Sequence, residues 1–272
     1  MQRTRHSARP TGDTFEEAHG SPALVAVAHG SRDPQALRTV TRLLDRVRET
    51  RPGLDVRLGH IELNEPLLPQ TLAGLAGGSA VLVPLLLGRG YHVKQDLPAL
   101  AAAAPAVRTR VAAPLGPHPL LAEALYGRLV EAGWPAGGGP AGRGDAVVLA
   151  AAGSRDPESA ADTRRTARLL GEWLGGVPVV PAYASAATPT VADAVRALTA
   201  RGYHRIAVAS YFTAPGRFAT AAADAAPGIA AAPLGAHPAM VRLLLHRYDR
   251  ARAGAAAAAD GLPAGEPLLA IA

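Results

Sequence analysis

Three side chains in the first half of the chain, His29, Glu62 and His92, are of types that bind a divalent metal or move a proton near neutral pH. Neutral imidazole is a ligand suited to first-row metals, and a carboxylate can add an oxygen donor or accept a proton. Each of the three lies at or just beyond the end of a short apolar segment, where a parallel sheet presents its chemistry. The chain has no cysteine. That excludes a disulfide framework, thiolate zinc sites, iron–sulfur clusters and a thiol nucleophile, so metal chemistry falls to His, Asp and Glu.

An internal repeat sharpens this set. Ala28-His-Gly-Ser-Arg-Asp-Pro34 returns as Ala151-Ala-Gly-Ser-Arg-Asp-Pro157, and Ala113-Pro-Leu-Gly-Pro-His-Pro119 returns as Ala232-Pro-Leu-Gly-Ala-His-Pro238. Two motifs repeated in the same order, more than a hundred residues apart, indicate a duplicated domain rather than a solenoid. Within that frame His29 falls on Ala152, Glu62 on Ser185 and His92 on Phe218. All three reactive groups are therefore absent from the second copy, while the Gly-Ser-Arg-Asp-Pro turn is kept in both.

What both copies keep reads as scaffold. Ser31 and Asp33 (twins Ser154 and Asp156) precede a helical pattern and suit capping. Arg32 has its twin in Arg155, which leaves a ligand carboxylate and a structural ion pair equally open. His118 repeats as His237 and reads as structural, and His60 as a surface or packing residue. Gly88 and Gly90 are expected to give the tight loop that presents His92.

The elements that position these residues alternate. Apolar runs predict strands over Ala23–Ala28, Val56–Ile61, Ala80–Leu87 and Arg108–Ala112. Helical periodicity covers Pro34–Thr50, Leu67–Ala76, Leu97–Ala104 and Pro119–Ala132. Such alternation implies parallel strands with helices on both faces. The expected organisation is a disordered leader (1–21), a first domain (22–133), a Gly/Pro-rich linker (134–145), a second domain (146–250) and a low-complexity tail (251–272).

No signal peptide is visible, and the longest apolar stretch, Ala80–Gly88, is far short of the ~20 residues that span a bilayer. A soluble, cytoplasmic protein without membrane contact is expected. The net charge of +6, carried almost wholly by arginine, fits either anionic ligands or arginines scattered over helix surfaces. No basic stripe interleaved with aromatics points to nucleic acid, and neither G-x-G-x-x-G nor a Walker A loop follows a strand.

Three motifs together resemble the sirohydrochlorin chelatases, the CbiX-type cobaltochelatases of the class II chelatase superfamily. They are Ala28-His29-Gly30-Ser31-Arg32, Glu62-Leu63-Asn64-Glu65-Pro66, and Pro84-Leu-Leu-Leu-Gly-Arg-Gly-Tyr-His92-Val-Lys-Gln-Asp96. The resemblance covers roughly Leu24 to Tyr248 as two copies. It implies two tandem chelatase-like domains, each a small parallel sheet with helices on both faces, and an active site in the cleft between them. The implied activity is that of a lyase that inserts Fe²⁺ or Co²⁺ into sirohydrochlorin, in siroheme or cobalamin biosynthesis, without ATP. His29 and His92 then match the family's metal-binding histidines and Glu62 its active-site acid, as ligand or proton acceptor.

Ser31, Arg32 and Gly90 are expected to contact the substrate, an anionic tetrapyrrole. No cofactor beyond the divalent metal substrate is expected. Since one chain supplies both halves of the cleft, a monomer is expected. The competing expectation is a metal- or tetrapyrrole-binding carrier without turnover, because one copy lacks all three groups.

Overall fold

The C-terminal ends of two neighbouring parallel strands, β1 (Ala23–Ala28) and β3 (Ser79–Pro84), form the floor on which the chemistry sits. The computed structural model describes residues 21–136 and 144–259. Almost all of the expected leader, the middle of the linker and the end of the expected tail lie outside the described residues.

The first sheet has the order β2-β1-β3-β4, with β2 (Val56–His60) and β4 (Arg108–Val111) at its edges. The second, β6-β5-β7-β8, repeats that order with β5 (Asp145–Ala151), β6 (Val179–Tyr183), β7 (Arg205–Tyr211) and β8 (Ile229–Ala230). All pairings are parallel. From β1 the chain crosses to β2 on one side and later to β3 on the other. Such a reversal opens a crevice at the strand ends, the usual ligand position in an open α/β sheet.

Strand periodicity divides the core. Val25 and Val27 of β1 face outward onto α2 (Leu68–Ala73) and α3 (Leu97–Ala102), while Leu24, Ala26 and Ala28 face a core shared by both repeats. In the second sheet α6 (Val191–Ala200) and α7 (Arg217–Asp224) cover the outer face. Between the sheets lie α1 (Pro34–Thr50), α4 (Pro119–Glu131), α5 (Pro157–Trp173) and α8 (Pro238–Ala259).

The last helix of each repeat packs on the other repeat. Helix α4 lies against α5 and β7, and α8 lies against α1, β3 and β4. A symmetric pair of contacts fixes the exchange. Arg128 on α4 donates to Leu234 O through Nε (3.2 Å) and Nη2 (2.9 Å), and Arg247 on α8 donates to Leu115 O at 3.0 Å. The repeats therefore share one apolar interior instead of meeting as two separate globules.

The conserved turns have local causes. Asp33 and Asp156 cap α1 and α5, accepting from Gln35 N (2.8 Å) and Glu158 N (2.9 Å), with proline in the first turn of each helix. His118 and His237 cap α4 and α8 through Nδ1, which explains why both copies carry them.

Several elements differ at their ends from the sequence expectation. Strand β3 stops at Pro84, because proline has no N–H to extend the ladder. A π-helical turn, His92–Asp96, precedes α3 where no special element was expected. Pro98 lies just beyond it, lacks an N–H and crowds the carbonyl of Lys94, which favours a widened turn. Helix α8 continues to Ala259, through the first residues of the expected tail.

Candidate active site

His29 follows β1, and Glu62 follows β2 on an extension of the same ladder, with Glu62 N donating to His29 O at 3.0 Å. Their side chains meet, His29 Nε2 lying 3.5 Å from Glu62 Oε1. His92 reaches the same place from the π-helical turn after β3. Its ring stands edge-on to that of His29, with centroids 4.7 Å apart and planes at 87°. The structure thus brings together three residues spread over sixty positions of sequence. His29 and His92 are each about 40% exposed and Glu62 is 54% exposed, so all three face solvent-accessible space.

Gly30 sets this approach. Its φ is +107°, and a Cβ there would stand 1.9 Å from Glu62 O. Only glycine fits the left-handed backbone and the close strand crossing together. Gly153 repeats it, with φ +90° and Ser185 O at 1.9 Å. Neither Gly88 nor Gly90 is among the glycines with left-handed backbone. Gly88 lies beside Asp162, with which an added Cβ would make ordinary van der Waals contact at 3.6 Å.

The imidazole of His92 has a defined orientation. Nδ1 lies 2.6 Å from Asp96 Oδ2 across the π-helical turn. A carboxylate only accepts, so Nδ1 carries the proton and Nε2 of the neutral ring keeps its lone pair free. Asn64 Oδ1 accepts from Ser31 N at 2.7 Å and so ties down the turn that follows His29. Neither Asp96 nor Asn64 had been assigned a role from sequence, although the repeat carried the signal. Their counterparts in the second copy are Ala222 and Ala187.

Ser31 accepts from Asp33 N at 3.1 Å, and Ser154 does the same for Asp156 N, a structural turn shared by both copies. Gly90 lines the cleft and accepts from Lys94 N at 3.1 Å. Arg32 is exposed, and among the described residues it makes no ion pair, so the structural alternative finds no partner there. Arg155 is likewise exposed and has no ion-pair partner among the described residues, and Arg217 stacks on the Phe218 ring at 4.8 Å with no carboxylate partner among them. His60 is buried, with Nδ1 3.1 Å from Pro66 O, as a packing role requires.

These groups line a cleft of about 1680 Å³ bounded by both repeats. That is larger than the roughly 300–1,000 Å³ of ordinary small-ligand pockets. Leu63 (φ +68°) and Tyr91 are large exposed apolar side chains at its walls, suited to the face of a flat ligand. Among the described residues no group of three His, Asp or Glu is arranged to hold a metal ion. Two imidazoles and a carboxylate meet here as an open set of donor atoms. No helix among the described residues is long and apolar enough to cross a membrane.

Comparison with known proteins agrees with this architecture. The CbiX family model matches residues 23–132 and again 146–251. A sirohydrochlorin cobaltochelatase of Methanococcus aeolicus is 35% identical over 79 residues, 28% of this chain and 55% of that protein. A sirohydrochlorin ferrochelatase of Bacillus subtilis is 28% identical over 174 residues, 61% of this chain and 64% of that protein. The chain thus spans little more than half to two thirds of the length of these relatives. The solved structure of SirB from Bacillus subtilis with Fe³⁺ superposes with a TM-score of 0.68 at 23% identity, covering 87% of this chain and 97% of the other. At that identity the likeness is one of fold.

Proposed function

The chain belongs to the CbiX family, and on that premise we propose that it inserts Fe²⁺ or Co²⁺ into sirohydrochlorin. The observation that carries this reading is the meeting of His29, His92 and Glu62 at one cleft wall, with the second repeat contributing none of the three types at matched positions.

Insertion exchanges two pyrrole N–H protons for one divalent ion. The ion must lose water, be held near the ring, and then be released to four ring nitrogens. His29 and His92 supply imidazole nitrogens, donors that suit Fe²⁺ and Co²⁺, and the absence of thiolate leaves the ion exchangeable. The Asp96 hydrogen bond keeps His92 Nε2 available for this contact. Glu62, half exposed beside His29, accepts a proton as it leaves the ring. Arg32, Arg155 and Arg217, which have no ion-pair partner among the described residues, supply guanidinium groups for the substrate's carboxylates.

Nothing in this scheme requires a nucleotide. Lys94 is the only lysine, and it is not part of a Walker A loop. The two halves of the cleft come from one chain, which supports action as a monomer. The test is absorbance of sirohydrochlorin with each ion, with and without the protein and without ATP. Acceleration supports the reading; a rate no higher than the background supports a carrier instead.

A further inference from the structure

The segment leading from β3 to His92 is suspended from the second repeat. Leu85 O accepts from Thr213 Oγ1 at 3.0 Å, and Leu87 O accepts from Tyr211 OH at 2.7 Å. Burial pushes the Tyr211 phenol well above its ordinary pKa, so it remains a donor. Next along the chain, Arg89 engages the Asp162 carboxylate three times: backbone N and Nε at 3.0 Å to Oδ2, and Nη2 at 2.7 Å to Oδ1. Arg89 Nη1 also reaches Glu158 at 3.1 Å. Beyond His92, Lys94 pairs with Asp156 at 2.6 Å and with Glu158.

The matched junction on the other side of the pseudo-two-fold is built differently. There the loop of the second repeat carries Pro215 and Thr220 in place of Arg89 and Lys94, and α1 carries Gln35 and Thr39 in place of Glu158 and Asp162. Leu85 and Leu87 stand in place of Tyr211 and Thr213 and have no side-chain donor. The Thr39 hydroxyl donates within its own helix, to Gln35 O at 2.8 Å. The same fold therefore forms this junction without ions. Asp162, only 3% exposed, carries the desolvation cost of a buried carboxylate, and it does so only at the loop that holds His92.

We propose that the second repeat, having no metal donors at the matched positions, acts as an ionic clamp that sets the position of His92. Arg89 and Asp162 are its positioning residues. The inference rests on the reading of His92 as a metal donor. A guanidinium fork bound to a fixed carboxylate constrains the backbone three residues before His92, and Lys94 constrains it two residues after. Loss of the fork leaves the imidazole in the cleft but no longer held against His29.

The test uses Arg89→Ala and the double variant Arg89→Ala/Asp162→Thr, which copies the side chain found at Thr39 and removes the unpaired buried charge. Co²⁺ affinity without tetrapyrrole, insertion kcat and KM, and thermal midpoint are measured together. A clamp predicts that the double variant stays folded, with Co²⁺ affinity and kcat each reduced about 10- to 100-fold and KM for sirohydrochlorin changed less than about two-fold. Arg89→Lys, which keeps the charge without the fork, recovers only part of the loss. In a His92→Ala background the double change has no further effect on Co²⁺ affinity. Unaltered affinity and kcat in a folded double variant would overturn the clamp, as would a further loss of affinity without His92. Unaltered affinity and kcat in His92→Ala alone would instead overturn the active-site reading.

Discussion

Asp96 holds His92 through a 2.6 Å hydrogen bond to Nδ1, and the positions matched to this pair in the second repeat are Ala222 and Phe218. The histidine and the carboxylate bonded to it are therefore absent together. Asp96→Ala frees the ring to rotate and to change tautomer, and Co²⁺ affinity and kcat should fall about 10- to 100-fold. Asp96→Asn, which can still accept from Nδ1–H, should lose less. Steady-state insertion rates check both, and equal losses for Ala and Asn would remove the orienting role.

The unpaired arginines predict substrate affinity. Arg32→Ala, Arg155→Ala and Arg217→Ala should each raise KM for sirohydrochlorin by roughly 10-fold, the worth of a charge-assisted hydrogen bond of about 1.5 kcal/mol. Co²⁺ affinity in the absence of tetrapyrrole should not change. Added salt should raise the wild-type KM and have less effect on the variants. Variants whose KM and salt response match the wild type would show that carboxylates dock elsewhere.

The twin glycines separate fold from chemistry. Gly30→Ala and Gly153→Ala place a Cβ against Glu62 O and Ser185 O at the same 1.9 Å. Each should lower stability by about 2 kcal/mol or more, as strain at a left-handed position does. Calorimetry should give similar losses for the two. Insertion at a temperature where both remain folded should suffer chiefly in Gly30→Ala, where Glu62 is the displaced neighbour.

His118 carries a pH prediction. Burial first, then Arg247 and His246, push its pKa down to about 4. The unfolded chain therefore binds a proton that the folded chain refuses between about pH 6.5 and 4. The stability contributed by the neutral cap is complete above that window and is lost as pH falls through it. With a half-exposed ring the loss is on the order of 1–2 kcal/mol. His118→Asn, a capping residue that does not titrate, should flatten the thermal midpoint across this window. An unaltered pH slope would contradict it.

The repeat made much of the site legible. It singled out His29, Glu62 and His92 because the matched positions in the second copy carry groups that cannot do their chemistry, and strand–helix alternation supplied the parallel sheets. The same comparison contained Asp96 and Asn64, whose counterparts are alanines. They escaped because a carboxylate and an amide have many surface roles, and only the π-helical turn places Asp96 against His92. The helix exchange and the Arg89–Asp162 fork were not legible. Both join residues far apart in sequence, and nothing in either segment specifies its partner. Arg32 was undecided because an exposed arginine and a paired one read alike in sequence.

The central claim is that His29 and His92 deliver the metal. The direct measurement is insertion of Co²⁺ or Fe²⁺ into sirohydrochlorin, followed by absorbance, for wild type, His29→Ala and His92→Ala at matched folded concentration. Wild type should exceed the protein-free rate, and each variant should fall by about 10²-fold or more with its thermal midpoint retained. A folded His92→Ala protein that inserts metal at the wild-type rate would contradict the account.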